Sequence, residues 1–303
     1  MKTMKKTKWT FISALILMFS LIVSGCGTAA NNAPASSPEA SAAASPAEST
    51  QSPEASASAA PQEAVTLKVG AAPVPHAEIL EFVKPLLKEQ GVNLEVVVLD
   101  DEGQLNPALF EKQIDANYFQ HVPYLDSIKG EKGYDFAVTA KVHVEPIGFY
   151  SEKLKAKGDI ADGATIAIPN NPSNEYRALV LLEQQGLIKL KEGLENTYEA
   201  TPKDIVDNPK NLKFEEVDSA TLPRVLPDVD GAIINTNLVL EAGIDPNNAL
   251  FREDAESPYA NIIVVRSGDE NREEIKKLDA VLVSPEVKKF IQDKYGVAVV
   301  PAF

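Results

Sequence analysis

Cysteine occurs once in the 303-residue chain, at Cys26, so neither an intrachain disulfide nor a thiolate metal cluster is available. Basic residues are short: 29 lysines and arginines face 44 aspartates and glutamates, a formal charge of -15. With no basic stripe to neutralise phosphates, nucleic acid is excluded as an expected partner. Also missing are a Gly-x-Ser-x-Gly elbow, a His-Glu-x-x-His helix, a phosphate-binding glycine loop and a cysteine nucleophile in the folded part. An enzyme is therefore not expected, nor a cofactor. The acids Asp100-Asp101 read as a solvated turn. The three histidines, His76, His121 and His143, have no close partner at metal-ligand spacing, so no metal site is expected.

What is present begins at the N-terminus. Lys2, Lys5, Lys6 and Lys8 precede an apolar run of about fifteen residues, Trp9 to Val23, short of the roughly 20 that span a membrane. Residues 1–25 thus read as a secretory signal. The run ends in Val23-Ser24-Gly25-Cys26, which resembles the bacterial lipobox and implies that Cys26 becomes the acylated first residue. Each buried methylene is worth about 0.8 kcal/mol, so several acyl chains tether a domain to a membrane without a spanning helix. Loss of residues 1–25 removes four lysines and no acids, taking the charge from -15 to -19. Residues 26–64 are Ala, Ser, Pro and Glu with almost no large apolar side chain, the composition of a disordered tether.

From Val65 strand and helix signals alternate. Leu67, Val69 and Ala71 suggest a strand, His76 to Glu89 a helix kinked at Pro85, and Leu94 to Leu99 a second strand, hence a parallel β-α-β unit. Asn106 before Pro107 reads as a helix cap. Ile114 to Phe119 reads as a strand that turns near Gln120 or His121 into a helix, with Asp115, Asn117 and Pro123 shaping the turn. Residues 135–150 form an extended stretch long enough to leave one domain for another. Thr165 to Ile168 is a buried-type strand, followed by a helix capped by Asn171 with Pro172 first, ended by Gly186, and carrying Arg177 in its second turn. The strand Gly231 to Ile234 ends in Asn235, and Ile262 to Val265 can return to the first domain. The pattern predicts two α/β lobes joined by two crossovers, with residues 65–147 and 258–303 in lobe 1 and 148–257 in lobe 2.

Five stretches carry a family resemblance: Val74-Pro75-His76-Ala77-Glu78-Ile79-Leu80, Ile114-Asp115-Ala116-Asn117-Tyr118-Phe119-Gln120-His121, Ile168-Pro169-Asn170-Asn171-Pro172-Ser173-Asn174, Gly186-Leu187-Ile188-Lys189-Leu190 and Ser257-Pro258-Tyr259-Ala260-Asn261. In this order they resemble the NlpA/MetQ family of methionine-binding lipoproteins, receptors of ABC importers. The resemblance implies a two-lobed, periplasmic-binding-protein-like α/β fold that closes on one amino acid, L-methionine first among them. It also implies an extracytoplasmic, lipid-anchored location and delivery to a permease with its ATPase. Arg177 is then the partner of the ligand carboxylate, because a guanidinium grips a carboxylate through parallel bonds. Asn235 and Asn261 match amides that hold the ligand backbone, and Phe119 and His121 match its side-chain wall. Where the family usually has a tyrosine, this chain has Glu102, and where it often has another there is Leu238. Glu102 is thereby a candidate specificity position, and a methionine-containing dipeptide or another small amino acid is the alternative ligand. A zinc or manganese receptor built on the three histidines is the more distant alternative.

Overall fold

The computed structural model describes residues 64–195, 197–254 and 257–303. The expected signal, tether and Cys26 lie outside them. Among the described residues no helix is long and apolar enough to cross a membrane.

The chain opens with β1 (Val65–Ala71), α1 (Glu78–Glu89) and β2 (Val92–Val98). Ile79, Leu80, Val83 and Leu87 form the buried face of α1, which continues through Pro85 as one helix instead of being divided there. After α2 (Leu105–Phe110) come β3 (Ala116–His121), α3 (Val122–Lys132) and β4 (Phe136–Val144). The expected cap at Asn106 is overturned: α2 starts at Leu105, and Asn106 is buried inside it, held by Asn117 and Gln120. The turn after β3 keeps Pro123 in the first turn of α3, as expected, but is otherwise built differently. His121 caps α3 itself, its Nδ1 accepting from the Tyr124 N–H at 3.1 Å, while Asp115 and Asn117 bond elsewhere.

β4 leads through residues 145–147 to β5 (Gly148–Tyr150), β6 (Thr165–Pro169), α4 (Pro172–Gln184) and β7 (Lys189–Leu190). β8 (Ile205–Asp207), β9 (Lys213–Val217), α5 (Leu222–Val225), β10 (Gly231–Ile234), α6 (Thr236–Glu241) and β11 (Phe251–Arg252) follow. The chain ends with β12 (Ala260–Arg266), α7 (Glu273–Leu282), α8 (Pro285–Tyr295) and β13 (Val300–Pro301).

Two sheets result. The six-stranded one has the order β13-β4-β12-β3-β1-β2 and the five-stranded one β11-β5-β10-β6-β9. β1 is parallel to β2 and β3, and β6 is parallel to β9 and β10, whereas β12 returns antiparallel between β3 and β4. The run Ile262 to Val265 is apolar throughout because both of its faces are covered. Ile263 and Val265 meet the core under α1 and α7, and Ile262 and Val264 meet the core under α2 and α3. The β6 strand divides in the same way, with Ile166 and Ile168 on one side and Ala167 on the other.

Candidate functional site

Open parallel sheets place ligands beyond the carboxyl ends of their strands. The main cavity, about 520 Å³, lies there, within the usual span of small-molecule pockets. It is lined by residues following β2 (Glu102), ending β3 (Phe119, His121), following β6 (Asn174, on into Arg177) and following β10 (Asn235, Asn237). Asn261 reaches it from the start of the antiparallel β12, which enters the sheet at the same edge.

Asn171 sets the second wall. Its Oδ1 accepts from the Asn174 N–H and Nδ2, capping α4 and aiming that helix's positive end at the cavity. Arg177, 3 % exposed, donates through Nη2 to the Glu145 carbonyl at 2.7 Å and through Nε and Nη2 to Glu253. Its Cζ sits 4.2 Å from the centre of the Tyr259 ring. The arginine is therefore held in place, with a charge balanced by Glu253, and none of these bonds runs to Nη1.

His121 and Asn174 join the two walls: Nε2 donates to Oδ1 at 3.2 Å. Because Nδ1 accepts from Tyr124, the tautomer carries its proton on Nε2. Burial, with the Arg177 charge adding to it, lowers this histidine to about 3, so the ring is neutral. The same Asn174 Oδ1 accepts from Asn235 Nδ2 at 3.1 Å, and among the described residues the buried Asn235 Oδ1 has no donor. Tyr124 stands edge-on to both Phe119 and His121 and completes an aromatic corner.

Glu145, 5 % exposed in the crossover after β4, ties both walls together. Oε1 accepts from His143 Nε2 at 2.7 Å and from Asn261 Nδ2, while Oε2 accepts from the Asn237 N–H at 2.8 Å. Tyr118 donates to His143 Nδ1, and His76 Nε2 donates to Asn261 Oδ1 at 3.0 Å. Burial lowers His76 to about 4 and His143 to about 3, and it raises the Glu145 carboxyl above its ordinary range against the pull of His76.

His76, His143 and Glu145 thus do come together, contrary to the expectation from their spacing; strands distant in sequence bring them side by side. Their ligand atoms lie within 4.8 Å of one another; His143 Nε2 and His76 Nε2 are engaged by Glu145 and Asn261, while among the described residues the buried His76 Nδ1 has no partner. His121 stands apart, bonded to Asn174.

All six candidate residues, Arg177, Asn235, Asn261, Phe119, His121 and Glu102, line this one cavity, as does Leu238. Missed were Glu145, Asn174, Tyr124 and Glu253. Only Glu145 left a signal, as a lone acid in the apolar stretch from Val142 to Tyr150.

Residues 67–303 match the family model described as NlpA lipoprotein. The chain belongs to the NlpA lipoprotein family. A Bacillus subtilis relative, methionine-binding lipoprotein MetQ, is 38 % identical over 299 residues, covering 97 % of this chain and 98 % of its own length. Among solved structures, a nutrient-binding protein from Burkholderia cenocepacia bound to methionine matches with a TM-score of 0.76 and 45 % identity, over 78 % of this chain and all of its own. A periplasmic substrate-binding protein of an ABC transporter from Coxiella burnetii matches at 0.73 and 40 % identity, over 78 % and 100 % of the two chains. The two-lobed α/β receptor fold of the NlpA lipoproteins is thus the fold of this chain.

Proposed function

We propose that this NlpA lipoprotein is the receptor of an ABC importer, binding one molecule of methionine or a closely related amino acid in the cleft and handing it to a permease driven by an ATPase. The observation that carries the reading is Arg177: a buried, braced guanidinium over the Tyr259 ring, in the second turn of a capped helix. A zwitterion needs a cation for its carboxylate, acceptors for its ammonium and an apolar wall. Arg177 Nη1 serves the first need and Asn235 Oδ1 with the Glu145 carboxyl the second. Phe119, His121 and Tyr124 serve the third, and an aromatic face against a thioether adds about 0.3–1.5 kcal/mol. Asn261 supports the ammonium side by holding Glu145 and His76. The names of the Bacillus and Burkholderia relatives support the ligand class. The lipobox-like Cys26 supports attachment to a membrane surface, outside the cytoplasm.

Arg177→Ala tests the assignment. It should weaken L-methionine binding by about 2–5 kcal/mol in calorimetry, the range for truncating one partner of a buried charge pair. Glu253→Gln, which removes the intramolecular partner but keeps the guanidinium, separates loss of the ligand contact from loss of bracing. A change under about 0.5 kcal/mol in Arg177→Ala, within the scatter of ordinary surface substitutions, removes Arg177 from the site.

A further inference from the structure

Under the reading above, the needs of an α-amino acid are met by Arg177, already balanced by Glu253, by Asn235 with the Glu145 carboxyl, and by an aromatic corner. The cleft nevertheless carries much more negative charge. Its lining includes Asp100, Asp101, Glu102, Glu145, Asp218 and Glu241 against only Arg177 and Arg224, and Arg177 is already matched by Glu253. Asp100, Asp101, Asp218 and Glu241 are exposed, so the acids of the lining withdrawn from water are Glu145, assigned above to the ammonium, and Glu102.

The excess centres on Glu102. Its Oε1 accepts from the Asn237 amide at 2.6 Å, and among the described residues it forms no ion pair. The charged groups around it are all acidic: Asp101 from its own segment, Glu241 from α6 and Glu145 from the crossover, while Tyr124 of α3 feels its charge first among its neighbours. Glu102 lines the same cavity as Phe119 and Tyr124, the corner assigned above to the ligand's side chain. Burial first, and then Glu241, push the Glu102 carboxyl up to about 8, so the empty cleft sheds the charge by holding a proton.

We propose that the side-chain end of this cleft takes a positive charge, so that the preferred ligand is an amino acid ending in a trialkylsulfonium or alkylated ammonium group, in preference to a neutral thioether. Such a group suits both halves of the corner. Its alkyl substituents pack against the Phe119 and Tyr124 rings, with the ring faces attracting the onium charge, and the Glu102 and Glu241 carboxylates supply the counter-charge. Binding then exchanges the proton on Glu102 for the ligand cation. Methionine lacks that charge and leaves the proton in place.

The experiment compares S-methyl-L-methionine with L-methionine by calorimetry, using mature protein stripped of solute by unfolding and refolding, in two buffers of different ionisation heat. The wild type should bind the sulfonium at least about tenfold more tightly, roughly one charge-assisted contact, and release protons only with it. Glu102→Gln should bring the affinity ratio of the two ligands below about threefold, since an isosteric amide keeps the shape and removes the charge. Glu241→Gln serves as a second variant if the first fails to fold. Methionine binding as tightly as the sulfonium, or a ratio unchanged in both variants, overturns the proposal and leaves the methionine-receptor reading standing. If neither ligand binds the wild type, both readings fall together.

Discussion

Glu102 is where residue-level electrostatics bear on the whole protein. With its folded value near 8 against an ordinary 4.5, the native state keeps a proton that the unfolded chain releases earlier. The sign follows from that order: its contribution to stability is complete below about pH 4.5 and is lost as pH rises to about 8. Glu102→Gln removes this dependence. Urea unfolding of the two proteins between pH 5 and 8 should show the variant gaining on the wild type with rising pH, by somewhat less than about 1.4 kcal/mol per unit because the side chain is not wholly buried. Parallel curves would mean that the carboxyl titrates normally. The buried histidines act in the opposite direction. His76, His121 and His143 are depressed to between about 3 and 4, so their stability is present above about 6.5 and fades as the pH falls through those values.

Elements set how precisely such residues meet, and β10 shows how little tolerance they have. A Cβ built on Gly231 would lie 2.1 Å from the Phe149 Cζ, and that ring cannot retreat because Phe251 stacks on it at 4.7 Å. Gly231→Ala should destabilise the protein by about 1–3 kcal/mol, as overpacking does, with a lower Tm in calorimetric scans. An unchanged Tm would show that the stacked pair is loose. Elements of this kind were largely legible in the sequence. Asn171 and Pro172 mark the start of α4, and Gly186 takes φ +70° just past its end. The failures have one cause. Asn106 precedes a proline in the pattern of a cap, yet its amide is recruited by Asn117 and Gln120 across a strand, a long-range bond that no local pattern encodes. The same applies to the site. Arg177, in the second turn of α4, and Asn235, at the end of β10, stand where sequence periodicity points, but the pairing of His121 with Asn174 depends on the carboxyl ends of β3 and β6, in different sheets, facing one cavity. The gathering of His76, His143 and Glu145 arises from the register of β4 against β12.

For the whole molecule, two proposed connections matter: the cleft to a solute and the chain to a membrane. Glu145 accepts from Asn261 of one sheet and from the Asn237 N–H beside the other, and its carbonyl holds Arg177. A carboxylate arriving at Arg177 thus engages a group already bonded to the crossover. At the other end is the proposed lipid attachment at Cys26, where two or more acyl chains would provide stable anchoring and one would be marginal. Cys26→Ser in the full-length chain should move the protein from the membrane fraction to the soluble fraction of cells. Retention in the membrane would show that acylation at Cys26 is not the anchor.

The central claim, a cleft that holds one amino acid of the methionine type, is tested most directly by titrating L-methionine into stripped mature protein while following heat and thermal unfolding. The account predicts one site per chain and a rise in stability of about 2.7 kcal/mol when free ligand reaches 100 times its Kd. No heat, together with no shift of Tm in excess L-methionine, would contradict it.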